Sequence, residues 1–469
     1  MAKILRYVLS LVKTVVLGVS IEGDSIVVRV RPHRREQLRC PVCGRRCDCH
    51  DHEPTRRWRA MDLARSRCLL EYRPARVACP EHGVLVERVP WARHRSRFTR
   101  DFEDWVACLA VHSPISWVAR LARVEWKSVG GVCRRVCDEI EAERGTGRFD
   151  GLRRIGIDET SYKRGHKYLT VVVDHDRGCL VWAHEGYGKE VLSLFLDELT
   201  REQRRAIEVV TADGARWIKT LVKRRCPNAR WVMDPFHVVE WMNDALDQVR
   251  RDEWQVAKAA AKAATPRRSR PGRPRRGEET PPEARAAQEL AASIKSSRYA
   301  LVKNPEDLTE RQREKLADVK RAGGRLFRAW DLKEDLRAVF RAESAAEAEG
   351  LLGDWLHAAA YCRIKPVVEV EKKVRRRRAD VVAAVELGIG NGRVESINQK
   401  IKVTVKVGYG FRNTDNLIAL LMLRCSDEHP ALPWEDRKDE KRKRDERRRA
   451  DRERDRKRRK EKASRTNAA

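Results

Sequence analysis

The feature that most constrains the fold is a set of short apolar segments in the middle of the chain. Five segments have the length and the β-branched content of strands: 155–159, 167–173, 179–184, 207–212 and 230–233. Residues 174–178 form a turn sequence between the second and third segments, and helical patterns at 188–199 and 217–225 separate the last three. We therefore predict three meander strands followed by helix, strand, helix and strand.

Acidic residues lie where the first, fourth and fifth predicted strands end, at Asp158, Asp213 and Asp234. This order of elements is typical of a ribonuclease H-like α/β domain, in which carboxylates at adjacent strand ends converge on two divalent metal ions. Taken alone, the pattern around Asp158 is equally compatible with an aspartate that only caps a turn.

A third acid, Glu395, lies on a predicted helix at 391–402. Aliphatic residues at the spacing of one helix face mark its buried side, and Glu395 and Asn398 share a neighbouring face. Carboxylate and amide groups on one face suit a metal ion and an adjacent phosphate, although an ordinary surface helix has the same pattern. A basic and aromatic strip suited to contact with the DNA backbone comes next, with Lys402, Lys406 and Arg412.

Nearer the N-terminus, two short motifs have the spacing of metal ligands. Cys40 and Cys43 belong to Cys-Pro-Val-Cys-Gly, and Cys79 and His82 belong to Cys-Pro-Glu-His-Gly. These motifs suit a tetrahedral Zn²⁺ bound by three thiolates and one imidazole, and a small module with little core depends on such a metal to fold. Four nearby residues are rival ligands: Cys47, Cys49, His50 and His52.

The other N-terminal segments are predicted to be folded and rich in strands. Residues 7–19 faintly resemble a signal peptide, but Lys13 interrupts the apolar run and no small-residue cleavage site follows. Residues 15–30 alternate well enough for two strands joined by a turn, and 56–63 and 69–77 are the strands predicted between the two metal motifs.

The charge of the chain limits its partners. Lys and Arg number 101 against 70 Asp and Glu, which gives a net charge of +31, and the dense charged run near the C-terminus supplies only part of it. Such an excess attracts polyanions, and nucleic acid before membrane. Most of the 13 cysteines are scattered singly, unlike a secreted disulfide framework, and no apolar run has the length of a membrane span. We expect a soluble intracellular protein.

A helix-turn-helix is predicted after a basic connector at 88–100. Three short helical patterns on tight turns carry this interpretation: 102–110, 115–122 and 129–140. The last helix is predicted to point Arg134 and Arg135 outward, toward DNA. Any three-helix connector has the same pattern, and the glycine pair at 130–131 weakens the third helix.

The segment 241–386 is predicted to be a mainly helical insertion, interrupted by a basic loop at 264–283 that is too polar to join a core. The Gly-Arg-Pro sequence around Arg273 resembles the hook that lies in an A/T-rich minor groove. A plain flexible loop is the simpler interpretation of so short a match.

Taken together, these motifs resemble those of the DDE transposases of the bacterial insertion-sequence group called ISL-three. The resemblance covers most of the chain, from residue 40 to about residue 425. Its motifs, in order, are Cys-Pro-Val-Cys-Gly, Cys-Pro-Glu-His-Gly, Pro-Trp-Ala (90–92), Ile-Gly-Ile-Asp-Glu-Thr, Thr-Ala-Asp-Gly, Met-Asp-Pro-Phe-His-Val, Ser-Arg-Tyr-Ala-Leu-Val-Lys-Asn-Pro-Glu (297–306) and Asn-Gly-Arg-Val-Glu-Ser-Ile-Asn. Two departures are the Gly-Ala-Arg-Trp sequence after Asp213 and the arginine-rich loop at 267–276.

The resemblance implies a site and an activity. Asp158, Asp213 and Glu395 are then the ligands of two Mg²⁺ or Mn²⁺ ions, with Asp158 bridging both ions. Glu159 and Asp234 are the alternative acids. The implied enzyme binds the terminal inverted repeats of its insertion sequence, cleaves DNA strands and transfers them to target DNA. It acts in the bacterial cytoplasm at the nucleoid, as a homo-oligomer, because two DNA ends must be held together.

Two further residues are predicted to lie beside this site. Asp234 and His237 follow the fifth strand closely enough to support the metal ligands or to contact DNA, with Asn398 on the late helix. His237 is equally compatible with a purely structural histidine. A zinc-containing DNA-binding regulator and a metal-dependent nuclease that does not join DNA are the alternative functions.

The predicted fold class is multidomain α+β, with a zinc module, a helix-turn-helix, and a ribonuclease H-like core interrupted by a helical insertion. The domains expected along the chain are 1–87 (N-terminal strands and zinc module), 88–145 (connector and helix-turn-helix), 146–240 (first part of the core), 241–386 (insertion), 387–430 (final helix and basic strip) and 431–469 (charged tail).

Overall fold

The computed structural model describes residues 2–213, 215–265, 281–435, 446, 449–450 and 453–454. The chain forms two compact units, one of residues 1–148 with 400–469 and the other of residues 149–399. Arg273 and the loop at 266–280 lie outside the described residues, as does most of the predicted tail. The domain boundaries expected from the sequence stay predictions.

The first 148 residues contain two small sheets and a set of helices. In chain order the elements are α1 (Ala2–Val8), β1 (Thr14–Glu22), β2 (Ser25–Pro32), β3 (Asp48–His52), β4 (Arg56–Leu63), β5 (Ser66–Tyr72), β6 (Ala75–Cys79), β7 (Gly83–Val86), α2 (Arg100–His112), α3 (Ile115–Ala122) and α4 (Trp126–Arg144). The first sheet has the order β1-β2-β5-β4 and the second the order β3-β6-β7.

The hairpin of β1 and β2 and the strand β4 confirm the predictions for 15–30 and 56–63. The single strand predicted at 69–77 is wrong, because Pro74 divides it into β5 and β6, which belong to different sheets. A proline has no N–H to donate to a ladder, so it ends one strand and lets the chain turn before the next.

The three helices predicted for the helix-turn-helix are present as α2, α3 and α4. Apolar residues of α4 are buried at the predicted spacing, including Val129 and Val136. Helix α4 continues through Gly130, and the structure gives a packing reason for this glycine. A Cβ atom there would lie 2.6 Å from Nδ2 of Asn416, so only glycine allows that side chain its position.

The remaining elements begin with the segment that is predicted to form a sheet. In chain order they are β8 (Arg154–Lys163), β9 (Lys167–Asp174), β10 (Cys179–Glu185), α5 (Lys189–Glu198), α6 (Arg201–Ala206), β11 (Val209–Ala212), α7 (Arg216–Arg225), β12 (Arg230–Met233), α8 (Pro235–Ala264), α9 (Pro282–Ser296), α10 (Arg298–Val302), α11 (Glu310–Ala322), α12 (Gly324–Val339), α13 (Ala345–Tyr361), α14 (Lys365–Arg375), α15 (Arg378–Leu387), α16 (Gly392–Val407) and α17 (Thr414–Cys425). The predicted order of three strands, helix, strand, helix and strand is confirmed, with the short helix α6 added.

The central sheet of the second unit has the order β10-β9-β8-β11-β12. The first three strands are antiparallel, and β11 and β12 run parallel to β8. Ile155 and Ile157 point to one face, where they share a core with Phe195 of α5 and Leu221 of α7. On the other face, α15 packs against β11 and β12 through the cluster that contains Val232.

The segment 241–386 is mainly helical in the residues that the structure describes, as its pattern predicts. Helices α8 to α14 share a core whose largest buried side chain is Trp355, which donates a hydrogen bond from its indole nitrogen to the carbonyl oxygen of Leu332. Thr309 and Gln312 form a capping box at the start of α11. None of the described helices combines the length and the apolar character that crossing a membrane requires.

Helix α16 lies against β8 at a glycine. A Cβ atom at Gly156 would lie 2.3 Å from Cγ2 of Val394 and 2.8 Å from Nε2 of His175. Both distances are shorter than any real carbon contact, so the helix can approach this closely only because position 156 has no side chain. Val394 itself is fully buried, as the sequence pattern predicted.

We predict that Gly156→Ala destabilises the second unit, because the new methyl group overpacks the contact with Val394. Overpacking of this kind costs about 1–3 kcal/mol. The free energy of unfolding should fall by that amount in denaturant titrations of the full chain. Val394→Ala in the same chain removes the clashing methyl groups and should restore part of the stability.

The matched control is Gly350→Ala on the exposed side of α13, where a Cβ atom meets nothing within 4 Å. Because alanine is the better helix former by about 1 kcal/mol, this change should leave the stability unchanged or raise it. Equal effects of Gly156→Ala and Gly350→Ala would contradict the close-approach explanation.

Candidate active site and metal centre

Asp158 lies in the middle of β8, so the prediction that it stands at the end of its strand is wrong. The strand continues to Lys163 because it stays paired with β9 on one side. On its other side β11 pairs only with 154–156. Asp158 therefore lies just beyond the last parallel pair, where the carboxylate is half-buried at the edge left by β11.

Both carboxylate oxygens of Asp158 accept hydrogen bonds. Oδ2 accepts from Nδ2 of Asn398 at 2.6 Å, and Oδ1 accepts from the backbone N–H of Glu159 at 2.7 Å. Asn398 is buried on α16, one helical turn after Glu395. The structure thus brings the first predicted acid together with the helix that carries the third.

Asp213 follows β11, which pairs with β8, and Asp234 follows β12, the next strand of the sheet. Asp213 is half-buried and accepts a hydrogen bond from the backbone N–H of Ala215 at 3.1 Å. Asp234 is 4% exposed and caps α8 by accepting from the backbone N–H of Phe236. Burial raises the pKa of Asp234, and the charge of Asp158 raises it further. Divalent cations such as Mg²⁺ take carboxylate oxygens as ligands.

Glu395 is exposed on the first turn of α16, and its backbone N–H donates to the carbonyl oxygen of Asn391. Within the described residues, oxygens of Asp158, Asp213 and Glu395 do not form a set that all lie within 4.8 Å of one another. Mg²⁺ needs few protein ligands and keeps water and phosphate in its other positions, so an acidic edge of this type fits the ion.

The alternative acid Glu159 points away from Asp158. Neighbouring residues of a strand face opposite sides of the sheet, and Oε1 of Glu159 accepts from the backbone N–H of Gly188 at 2.7 Å, at the start of α5. Burial raises the pKa of this carboxyl group, and the charges of Asp213 and Asp158 add to the rise. Glu159 therefore anchors a helix on the face opposite to α16.

His237 lies on the first turn of α8, near Asp234. Its Nδ1 atom lies 3.1 Å from Oε2 of Glu240, and its Nε2 atom lies 3.9 Å from Oδ2 of Asp234. The ring is partly exposed, so it has room for a further contact.

A buried chain of hydrogen bonds that the sequence did not reveal holds α16 on the sheet. Nε2 of His175 lies 2.7 Å from Oγ1 of Thr211, which donates to Oδ1 of Asn391 at 2.9 Å. Since the Thr211 proton is used on Asn391, the Nε2 atom of His175 is the donor in the first bond. The backbone of Asn391 also hydrogen bonds with Asp234. The sequence feature that could have pointed to this hydrogen-bond network is the Asn-Gly pair at the start of the helix, which resembles a helix cap.

The predicted zinc ligands Cys40, Cys43, Cys79 and His82 are gathered in the first unit, with their ligand atoms within 4.8 Å of one another. The Sγ atoms of Cys43 and Cys79 are 3.7 Å apart, and Nδ1 of His82 lies 3.8 Å from Sγ of Cys40 and 3.5 Å from Sγ of Cys79. Zn–S bonds of about 2.3 Å and Zn–N bonds of about 2.0 Å imply tetrahedron edges of about 3.8 and 3.6 Å, so the four atoms fit a zinc ion.

The hydrogen bond from His82 lowers the pKa of the Cys79 thiol to about 6, so the thiolate that metals bind forms near neutral pH. The rival ligands do not form such a group among the described residues. Sγ of Cys49 and Nδ1 of His52 are 4.0 Å apart, and His50 pairs with Asp51. Cys47 is a further thiol beside Cys79. Burial raises the pKa of Cys47, and a hydrogen bond with Cys79 raises it further.

The predicted DNA contacts differ in exposure. Lys402, Lys406 and Arg412 are exposed, and Arg134 is exposed with its guanidinium 3.9 Å from Asp415. The prediction that Arg135 points outward is wrong. Its guanidinium is 2.6 Å from Oε1 of Glu103, a carboxylate that is completely buried and needs this partner.

Comparison with known proteins shows the family to which the chain belongs. A family model described as a transposase matches residues 155–421, and a model described as the helix-turn-helix domain of transposase family ISL3 matches residues 87–137. The chain belongs to the ISL3 family of DDE transposases.

Curated proteins that are similar to this chain are also named transposases. The transposase for insertion sequence element IS1557 of two Mycobacterium tuberculosis strains is 44% identical over 415 residues, which cover 88% of this chain and 91% of the relative. The transposase for insertion sequence element IS1001 of Bordetella parapertussis is 24% identical over 395 residues, covering 84% and 90%. The predicted helix-turn-helix and the predicted family are therefore confirmed.

We predict that Cys40→Ser lowers the zinc content of the purified chain, because a tetrahedral site loses one of its thiolates. Metal analysis should give clearly less than one zinc per chain, and binding to a terminal-repeat duplex should fall with it. Cys47→Ser is the control and should keep its zinc. An unchanged zinc content in Cys40→Ser would place the ligands among Cys47, Cys49, His50 and His52.

A second prediction concerns His175. Burial, followed by the charge of Arg393, lowers the pKa of its imidazole to about 4, whereas in the unfolded chain it is about 6.5. Between these values the unfolded chain binds the extra proton, so His175 contributes stability above about pH 6.5 that is lost as the pH falls toward 4.

The comparison is between wild type and His175→Gln, whose amide keeps a donor for Thr211. The difference in the free energy of unfolding between the two chains should be smaller by up to roughly 3 kcal/mol when it is measured near pH 4 than when it is measured at pH 7. Exposed His33→Gln is the control and should follow wild type. A difference that stays constant with pH would exclude a neutral buried imidazole.

Proposed function

We propose that this transposase binds the terminal inverted repeats of its insertion sequence and catalyses metal-dependent strand cleavage and strand transfer. The single observation that best supports the proposal is the hydrogen bond between Asn398 and Asp158. It ties the helix of Glu395 to the strand of the first acid, although the two positions are far apart in the chain. The family supports the same assignment of Asp158, Asp213 and Glu395.

We further propose that the second unit is a ribonuclease H-like domain. In its five-stranded sheet the strands come in the order third, second, first, fourth and fifth, counted along the chain. The three antiparallel strands and the two parallel ones have the directions that the sequence order led us to expect. Asp158 lies just beyond the last parallel pair of β8 with β11, and Asp213 directly follows β11, which supports both as ligands.

Each residue of the site has a task in an in-line displacement at a phosphodiester. When bound, two Mg²⁺ or Mn²⁺ ions activate the attacking oxygen and stabilise the leaving oxygen. Asp158 and Asp213 supply carboxylate oxygens from the sheet, and Glu395 supplies one from α16. Asn398 orients the Asp158 carboxylate by its hydrogen bond. His237 lies at the border of the acidic edge, where a partly exposed imidazole can contact the DNA backbone.

Recognition of the terminal repeat is assigned to the helix-turn-helix. Helix α4 follows α3 after a short turn, and the N-terminal residues of a recognition helix contact base edges. Trp126 and Lys127 are exposed at that end of α4. Arg134 and the basic residues Lys402, Lys406 and Arg412 are proposed to contact phosphates, which position the protein without reading sequence. We also propose that the chain acts as a homo-oligomer, since a transposase holds two DNA ends.

The alternatives are a zinc-containing regulator without catalysis and a nuclease that does not join DNA. The family disfavours the regulator, and the buried network under α16 supports a catalytic role, because a chain that only binds DNA has no use for an acidic edge held so firmly. Joining of a pre-cut 3′ end to a plasmid distinguishes a transposase from a nuclease.

We predict that Asp158→Asn abolishes Mg²⁺-dependent cleavage but leaves DNA binding unchanged. Metal-ion stabilisation of the transition state is worth several kcal/mol, so the cleavage rate should fall by at least about 100-fold. Glu395→Gln should reduce cleavage in the same way. The assay measures cleavage of a labelled terminal-repeat duplex with Mg²⁺, alongside binding by fluorescence anisotropy.

The matched control is Glu386→Gln, an exposed glutamate on α15 that pairs with Arg230 at the far end of the sheet. It should cleave at the wild-type rate. Retained cleavage in Asp158→Asn would remove Asp158 from the site and with it the catalytic assignment.

A further inference from the structure

A cavity of about 730 Å³ lies in the first unit, beside the basic connector at 88–100. Its walls come from the start of β4, from β7 and from the connector itself. A space of this size takes a small organic molecule or a nucleotide rather than a single ion. Nothing in the catalytic or zinc chemistry uses it.

The connector that forms one wall is rigid, because its apolar side chains belong to a core. Val89, Trp91 and Ala92 are buried with Trp58 under the first sheet. The rings of Trp58 and Trp91 meet edge to face, with their centroids 5.7 Å apart. The Pro-Trp-Ala motif therefore fixes the course of the backbone just before a run of basic residues.

The other end of the connector is also held. Arg59 of β4 donates its backbone N–H to the carbonyl oxygen of Arg97 at 2.8 Å, and Thr99 donates to the carbonyl oxygen of Arg59 at 2.9 Å. Between these anchors Arg95 has a positive φ of 60°, a left-handed conformation that is uncommon for a residue with a side chain.

Arginines along the cavity differ in whether a carboxylate neutralises them. Arg93 lies 2.6 Å from Glu139 and 2.7 Å from Asp104, and it is 6% exposed. By contrast, four cavity arginines form no ion pair with any residue that the structure describes: Arg56, Arg88, Arg95 and Arg97. Uncompensated cations around one space attract an anion.

Two further observations bear on the charge of the cavity. Burial lowers the pKa of His94, and the charges of Arg95 and Arg56 lower it further, so these cations lie close to one imidazole. The cavity is also lined by the carboxylates of Glu53 and Glu87, and the oxygens of Glu87 already accept hydrogen bonds from Tyr72 and from two backbone N–H groups. Glu87 is thus occupied in joining the zinc module to the sheet.

We propose that this cavity binds a phosphodiester of the DNA backbone, as a contact separate from the recognition helix and independent of sequence. The inference rests on the proposed function, since it assumes that DNA is the polyanion. Guanidinium groups match the geometry of phosphate oxygens and form paired hydrogen bonds with them. Trp58 in the wall is only 3% exposed, and the Arg56 guanidinium lies over its ring, so this tryptophan offers no free face on which a base could stack.

The test is the salt dependence of DNA binding by the full chain. We compare wild type with Arg95→Asn combined with Arg97→Gln, using fluorescence anisotropy over a range of NaCl concentrations. Asparagine is chosen because it tolerates a positive φ. The slope of log K against log salt should fall in magnitude by about 0.9 for each phosphate that the variant no longer neutralises, hence by about 0.9 for the one phosphodiester proposed. The decrease should be equal for a terminal-repeat duplex and a random duplex.

Two controls separate this effect from folding and total charge. The variant with Lys at both positions keeps the charges and should recover most of the slope. Arg313→Gln on α11, an exposed arginine in the second unit, changes the total charge and should leave the slope as in wild type. A double variant with the wild-type slope overturns the proposal, and a decrease seen only with the terminal-repeat duplex overturns its independence of sequence.

Inorganic phosphate at matched ionic strength distinguishes the source of the anion. If phosphate weakens DNA binding by wild type toward the level of the double variant and leaves that variant unaffected, free phosphate competes with the DNA backbone at the cavity, as the proposal requires. If wild type binds phosphate more tightly than the double variant does, but both chains have the same DNA affinity, the cavity is a site for free phosphate and the proposal is wrong. A wild-type chain that bound no DNA would instead contradict the proposed function itself.

Discussion

The close contact of helix α16 with strand β8 is the constraint on which the rest of the candidate active site depends. Gly156 removes the side chain that would keep the helix away, and Val394 fills the space. At this distance Asn398 reaches the carboxylate of Asp158. A side-chain carbon added at position 156 would disturb this contact, because protein interiors are packed as densely as organic crystals. Packing between apolar atoms therefore sets the position of polar atoms that have no contact with the glycine.

The buried polar chain from His175 through Thr211 to Asn391 makes this contact specific. Apolar packing alone tolerates small shifts along a helix axis, whereas a buried hydroxyl that loses its partner costs about 1–3 kcal/mol. Each member of the chain is satisfied, with the Thr211 hydroxyl accepting from one side and donating to the other. The register of α16 on the sheet is thereby fixed, and with it the turn that carries Glu395. A neutral imidazole is the appropriate partner here, since a charged one beside Arg393 is disfavoured.

Much of the fold is predictable from the sequence, and the failures have physical reasons. Strand and helix order follows from β-branched runs, helix caps and periodicity, which are local properties of the sequence. The zinc ligands follow from spacing, since a metal needs its donors at fixed offsets. The division at Pro74 is not apparent from the pattern, because a single proline within an apolar run is also compatible with an edge strand. The roles of His175 and Thr211 are not predictable, because the bond between them depends on which residues the sheet topology places side by side.

The net charge of the chain does not identify which single residues contribute to its function. A surplus of positive charge indicates a polyanionic partner, but it does not say which arginines meet that partner. Arg93 and Arg135 neutralise carboxylates inside the first unit, where Glu103 is completely buried and requires them. Removing one member of such a cluster leaves a buried charge without a partner, which is costly, so these arginines are fixed by the fold. Arg95 and Arg97 differ from them only in their surroundings, because the connector holds them where no described carboxylate lies close enough to pair. The distinction between structural and DNA-facing arginines therefore follows from the backbone course around Trp91 and not from the count of basic residues.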